Sequence, residues 1–540
     1  MQNLSYAHGP SNTPLIGETI GENFRKSVEK FGNREALISI EQAYRATYKE
    51  LWEQTTALAK GLMASGIRRG DRVGIWAPNR FEWVLVQYAT ARIGAIMVNI
   101  NPSYKPTGLK FALEQSKVDL LISASHSRQI NFVEMLDAIR PTCEYPKQTI
   151  IIEKDWNALL SAGAEISDEK LATREESLQF DDSINIQYTS GTTGYPKGAT
   201  LSHHNILNDG YFCGVRMHYT EKEKVCIPVP LYHCFGMVLG SIGCISHGAC
   251  IVLTGETFHP DTVMKTIQEE KCTALFGVPT MYISMLDHYN FNKYDFSSLR
   301  TGIMGGSLCP TNVMRQVIDK MNMTQITICF GMTETSPMVT QSMVSDSLEK
   351  RVNTVGVIHD HLEVKIVDPQ GNILPKGAAG EVCVRGYAVM MGYWDNPTAT
   401  SDMIDKNKWL HTGDIGEMDE EGYIKITGRI KDTIIRRGEN ISPREIEEFL
   451  IAHKAISDVY VIGVPSVKYG EEVMAWVKKR DESLTKEELI LFCRDQIAPY
   501  KIPKYWKFVE EFPMTVSGKV RKVEMREIAI KELAFNGKSN

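Results

Sequence analysis

Tyr188-Thr189-Ser190-Gly191-Thr192-Thr193-Gly194-Tyr195-Pro196-Lys197-Gly198 follows directly on the apolar run Ile184-Asn185-Ile186-Gln187. A buried strand opening into a short turn of hydroxyl residues, glycines and one lysine is suited to phosphate. Glycine lets the main chain approach closely, backbone N–H groups and hydroxyls aim at oxygens, and Lys197 adds charge. The turn is not a Walker A loop: the G-x-x-x-x-G-K-[ST] spacing is absent, because proline precedes Lys197 and glycine follows it. A P-loop ATPase or kinase is therefore disfavoured. On its own the turn names a triphosphate and nothing more.

The surrounding chain reads as layered α/β. Upstream, Tyr48 to Ser65 places Leu51, Leu58, Leu62 and Met63 near one helical face, and Val73 to Trp76 reads as a strand. Phe81 to Ile93 reads as the next helix, and Val118 to Ser123 and Thr149 to Glu153 as further strands of mostly parallel sheets. From about Val352 the texture changes to short strands with Gly and Pro turns, Glu363 to Val367 and Gly380 to Arg385 among them, which predicts a small β-barrel-like subdomain. A second change falls near Gly428. Beyond it, Ser442 to Glu445 and Thr485 to Glu488 have the form of capping boxes. They open helices to Leu450 and to about Ile497, beside strands Val459 to Ile462, Val473 to Val477 and Tyr505 to Val509. The expected division is 1–430 and 431–540, the second a small α+β domain.

A length of 540 residues exceeds what one core supports, and 43% apolar with 23% charged residues is an ordinary globular composition. With 60 basic and 66 acidic residues the net charge is -6, so nothing pulls the chain towards nucleic acid and an anionic ligand must be held locally. Eleven cysteines without a C-x-x-C pair read as reduced thiols of a cytoplasmic protein, and Met1 to Ile20 has neither secretory nor transit character. Val225 to Gly255 contains no Asp, Glu, Lys or Arg, yet Pro228, Pro230, His233, His247 and five glycines argue against a membrane span. A buried strand, loop and helix is expected there. No residue pattern speaks to the oligomeric state.

The phosphate turn resembles the signature of the adenylate-forming superfamily, which includes acyl-CoA synthetases, firefly luciferase and the adenylation domains of peptide synthetases. The family's other motifs follow in order. They are Gly305-Gly306-Ser307, Phe330-Gly331-Met332-Thr333-Glu334, Thr412-Gly413-Asp414, Gly428-Arg429-Ile430-Lys431-Asp432, and the segment from Pro513 to Lys519. The resemblance covers nearly the whole chain.

What it implies is specific. Thr189, Ser190, Gly191, Thr192, Thr193, Gly194 and Lys197 would cradle the ATP phosphates, with Gly305, Gly306 and Ser307 beside the acyl pocket. Phe330 would stack on adenine, with Gly331 beside it in the nucleotide site, and Thr333 would touch the α-phosphate. Glu334 reads as a Mg2+ ligand, since a carboxylate is tolerable near a triphosphate mainly with a divalent cation between them. Asp414 has two acceptor oxygens for the ribose hydroxyls. By resemblance Arg429 contacts ribose or phosphate, and Lys431 marks the pivot of a mobile tail domain. Lys519 would enter from that domain to bridge carboxylate and α-phosphate as charge builds up. Arg436 to Asn440 matches the pantetheine-tunnel turn, where Gly438 leaves room for the thiol arm of coenzyme A. Arg436 or Arg437 would meet its phosphates or form a solvated basic pair. His233, which by resemblance lines the tunnel where acyl chain, adenylate and thiol meet, lies in Pro230 to Met237, the stretch where amino-acid-activating relatives carry an aspartate. No carboxylate is present here, which argues for an apolar acid.

The nearest resemblance is to medium-chain acyl-CoA synthetases. It implies a ligase that consumes a fatty acid, ATP and coenzyme A, with Mg2+, and yields acyl-CoA, AMP and pyrophosphate through an acyl-adenylate. An aryl or coumarate-type ligase is the alternative, and a non-catalytic acyl or nucleotide binder a more remote one. The expected partners are small molecules only, with no nucleic acid and no integral membrane segment.

Overall fold

The computed structural model describes residues 3–189, 196–306, 309–437, 439–466, 468–494, 496–514 and 520–536. The chain divides into a large unit, Ala7–Val364 with Val384–Leu410, and a small unit, Met1–Tyr6 with Lys365–Cys383 and His411–Asn540.

Two sheets build the large unit. In the seven-stranded one, Ser183–Thr189 runs parallel to Ile96–Asn99 and antiparallel to Lys197–Ser202, with Gly392–Tyr393 beyond. Arg72–Trp76, Leu120–Ser123 and Gln148–Ile151 continue it in parallel. In the nine-stranded sheet Ala274–Gly277, Thr301–Met304 and Gln325–Phe330 are parallel neighbours. The expected helices are present as Tyr48–Ala64 and Phe81–Ile93. Thr47 caps the first in a complete capping box. The second is buried on nearly every face, which is why it shows little 3.6-residue periodicity. The Thr149 to Glu153 expectation is half right: the strand ends at Ile151, and Ile152 starts the helix to Ala162.

The chargeless stretch is core. Lys224–Cys226 and Cys250–Leu253 pair in parallel as buried strands, and between them Phe235–Ile242 winds as a π-helix that passes into the helix Gly243–His247. Among the described residues no helix is long and apolar enough to cross a membrane.

A five-stranded open sheet has the order Tyr6–His8, Glu363–Val367, Gly380–Arg385, Leu410–Met418, Ile424–Arg429. Its terminal strands, Tyr6–His8 and Ile424–Arg429, do not pair with each other, so the barrel-like expectation is corrected to an open sheet. A second sheet joins Glu439–Ile441, Ile434–Arg436, Gly470–Lys479 and Ile456–Ser466, with Tyr505–Phe508 parallel to Gly470–Lys479. Helices Pro443–Leu450 and Lys486–Cys493 pack with it. The first expected capping box does not form. The Ser442 hydroxyl donates instead to the Thr427 carbonyl at 2.6 Å, and Glu445 pairs with Lys501. Thr485 does cap its helix, accepting from Glu488 N at 3.2 Å, but that helix stops at Cys493 rather than near Ile497.

Candidate active site

In the large unit the chemistry gathers where strands end. Thr189 and Lys197 are directly opposed at the mouth of the antiparallel pair, so the phosphate turn closes a hairpin at the carboxyl end of a strand that runs parallel to its inner neighbour. Ser190, Gly191, Thr192, Thr193 and Gly194 lie outside the described residues. In the other sheet, Thr301–Met304 and Gln325–Phe330 end side by side and deliver Gly305-Gly306 and Phe330-Gly331. Ligands of open α/β sheets sit at such carboxyl edges. Gly305 is buried, Gly306 is exposed with a φ of +88°, and Ser307 is outside the described residues.

Beyond half-buried Phe330 the chain must turn sharply. A Cβ on Gly331 would lie 1.9 Å from the Pro337 carbonyl oxygen, so only glycine fits. The one-turn helix Thr333–Thr335 follows and turns the Glu334 side chain inward, leaving the residue 4% exposed. Glu334 Oε1 accepts from the Thr189 hydroxyl at 3.2 Å and from the Tyr393 hydroxyl at 2.8 Å. The phosphate hairpin and the Phe330 to Glu334 motif, 145 residues apart in sequence, thus meet on one carboxylate. Both hydroxyls bond the same oxygen, Oε1. A hard anionic oxygen so placed fits Mg2+.

Tyr393 has no precedent in the sequence reading. It arrives because Gly392–Tyr393 pairs with Thr200 and Ala199 at the edge of the seven-stranded sheet. Burial and the Glu334 charge raise its phenol pKa far above the ordinary value, so it stays a donor. Lys197 Nζ lies over its ring at 5.1 Å.

A ladder of buried amides also escaped the sequence reading. Asn79 donates to the Val229 carbonyl at 2.9 Å and accepts from Leu231 N at 2.7 Å. Asn99 donates to the Tyr232 carbonyl, Asn185 donates to Asn99, and Cys234 donates to Gln187. Three strand residues, Asn99, Asn185 and Gln187, and Asn79 from the loop after Arg72–Trp76 thereby hold the loop carrying His233, which is half-buried with its ring 4.6 Å from that of Tyr232.

In the small unit Asp414 and Arg429 are direct partners across a hairpin, Nε to Oδ1 at 2.7 Å, with Asp414 buried. The two ribose candidates thus form one ion pair. Gly413 has a φ of +70°, and its N–H donates to Glu381 Oε1 at 3.1 Å, while Asp414 N donates to the Thr412 hydroxyl at 3.0 Å. Lys431 is exposed in the turn Ile430–Asp432. Arg436 is committed to the buried Glu472 at 2.7 Å, whereas Arg437 stacks on Tyr469 at 4.1 Å from the ring centroid. Gly438 and Lys519 lie outside the described residues.

Converging strand ends, a phosphate turn and an inward carboxylate define a nucleotide-handling enzyme. The chain belongs to the AMP-binding enzyme family, whose model matches residues 24–394, with the AMP-binding enzyme C-terminal domain matched over 445–519. More narrowly, it is an adenylate-forming acid–thiol ligase, an acyl-CoA synthetase. It is 44% identical to Bacillus subtilis YngI, an acyl-CoA synthetase by its name, across 96% of this chain and 98% of that one. It is 40% identical to the mitochondrial medium-chain acyl-CoA ligase ACSF2 of Danio rerio, across 98% and 91% of the two chains. The crystal structure of an anthranilate CoA ligase with anthranoyl-AMP superposes with a TM-score of 0.84 at 25% identity, covering 97% of this chain and 99% of that one.

Proposed function

We propose that the chain is a medium-chain fatty acid:CoA ligase, with Glu334 holding Mg2+ against the ATP phosphates. The meeting of Thr189, Glu334 and Tyr393 beside the phosphate hairpin carries this reading. Mg2+, when bound, neutralises phosphate charge. The turn from Thr189 to Lys197 holds the β- and γ-phosphates, Thr333 the α-phosphate, and Phe330 the adenine. Asp414 orients the ribose, with Arg429 alongside it. The fatty-acid carboxylate oxygen attacks the α-phosphorus, the bond to the bridging oxygen breaks, and pyrophosphate leaves with the electron pair. Lys519 offsets the negative charge at that junction. Coenzyme A then loses its thiol proton and attacks the acyl carbon. The carbon–oxygen bond to AMP breaks, giving acyl-CoA and AMP.

The acid is apolar because the 225–255 stretch is chargeless and buried, with Tyr232 and His233 beside each other at the edge of its amide ladder. Six relatives, 37–40% identical over 97–98% of this chain, carry medium-chain names, which supports the chain-length assignment. Arg437 is the better candidate for a coenzyme A phosphate, since Arg436 is paired with Glu472. The family resemblance supports a tail domain beginning at 431 that swings between half-reactions, with Lys431 as its pivot. The eleven free cysteines support a cytoplasmic, reducing setting.

The test is AMP release from purified protein with MgATP and coenzyme A across saturated acids of increasing length, with coumarate and anthranilate alongside. A kcat/KM maximum between C6 and C12 is expected. An aromatic acid preferred over octanoate would replace the fatty-acid assignment, and no AMP with any acid would sink the reading.

A further inference from the structure

Outside the catalytic constellation, three metal-ligating side chains of different chemistry converge in the small unit. Glu381 and Cys383 are two apart on the strand Gly380–Arg385 and so share a face, and His411 comes from the neighbouring strand Leu410–Met418. The His411 Nδ1 atom is 2.8 Å from Glu381 Oε2 and 3.5 Å from Cys383 Sγ, and all three donor atoms lie within 4.8 Å of one another. We propose that Glu381, Cys383 and His411 form a zinc site.

A carboxylate oxygen, an imidazole nitrogen and a sulfur, three ligand types that zinc accepts, face one another across two neighbouring strands. Zinc bonds of about 2.0–2.3 Å set tetrahedral ligand–ligand edges of roughly 3.3–3.8 Å; the nitrogen–sulfur spacing of 3.5 Å already matches, and the nitrogen–oxygen spacing of 2.8 Å opens slightly to admit the ion. Sulfur with imidazole and carboxylate selects zinc over Mg2+ or Ca2+, which take oxygen. Cys383 is fully buried, while the His411 and Glu381 side chains are 32% and 20% exposed, leaving the fourth position to water. The second carboxylate oxygen, Oε1, already accepts from Gly413 N–H. Such a hydrogen bond orients a ligating carboxylate. It also ties the site to the turn that carries Asp414.

The site is tested on the full chain stripped of metal and titrated with Co2+ as a zinc substitute. One equivalent should produce thiolate-to-cobalt charge-transfer absorption. Zn2+ should displace it, and Cys383→Ser and His411→Asn should each abolish it. Absence of the band, or its persistence in both folded variants, overturns the proposal. X-ray absorption on the zinc-loaded wild-type chain is independent of how the variants fold. A shell of one sulfur with nitrogen and oxygen is expected, and a sulfur-free shell refutes the site. Because the readouts are spectroscopic, they stand apart from the ligase assignment.

Discussion

Glu334 shows how a single carboxylate acquires a task from what touches it. Buried and bonded through one oxygen by Thr189 and Tyr393, its orientation is fixed before any ligand arrives. Tyr393→Phe removes one of the two hydroxyls without changing volume. Under the Mg2+ role proposed for Glu334, this variant is expected to raise the Mg2+ concentration needed for half-maximal pyrophosphate release by about 10–100-fold. Thermal stability should stay near that of the wild type, and an unchanged Mg2+ dependence would remove Tyr393 from the site. Lys519 belongs to the same scale. Lys519→Ala should abolish adenylate formation, measured as acid-dependent ATP–pyrophosphate exchange, yet largely spare thioester formation from preformed acyl-adenylate. Equal loss in both assays would mean that its role is not confined to the first step.

At the scale of elements, strand ends present the chemistry and buried amides hold the loops. The Pro230 to Cys234 loop has little regular structure of its own, and Asn79 holds its start through the Val229 carbonyl and Leu231 N. Asn79→Ala leaves a buried N–H and a buried carbonyl without their partner. The expected cost is about 2–4 kcal/mol in urea unfolding, with a raised KM for the acid and a smaller change for ATP. The Ser442 result belongs here too. A sequence that reads as a capping box spent its hydroxyl on the Thr427 carbonyl, 15 residues upstream, because that acceptor lay within reach once the strand and helix had packed. Local capping signals compete with tertiary partners, and the partner with better geometry wins.

At the scale of the whole molecule, the large unit buries histidines as neutral groups. Burial holds His203 and His247 down to about 4 and presses His359 well below its ordinary value. His203 Nδ1 accepts from Ile20 N at 3.1 Å, which requires that nitrogen unprotonated. Above pH 6.5 these groups are neutral in both folded and unfolded chains and contribute no pH dependence. Between 6.5 and 4 the unfolded chain binds protons that the folded chain refuses, so stability falls as pH falls, and below 4 the loss levels off. Each of the two is worth about 3 kcal/mol over that window. Urea midpoints measured from pH 7.5 to 5 should therefore decline with acidification. In His203→Asn the slope should be shallower by up to about 1.4 kcal/mol per pH unit. An identical slope would show that His203 is protonated in the folded state.

Much of this molecule was legible from residue order alone. Helix Phe81–Ile93, strand Glu363–Val367 and strand Gly380–Arg385 begin and end where local pattern places them, because the pattern of apolar residues and turn formers acts over a few neighbours. The ordered motifs likewise identify an adenylate-forming ligase, since each needs particular residue types at short spacing around a phosphate, a base or a ribose. Tertiary structure alone decided which motifs touch. Tyr393 on Glu334, Asn79 under Leu231, the Asp414–Arg429 pair and the Glu381–Cys383–His411 triangle join residues from different strands and loops. A period or a cap is written by neighbours in sequence. A contact across strands depends on sheet order and register, which are set by burying whole faces at once.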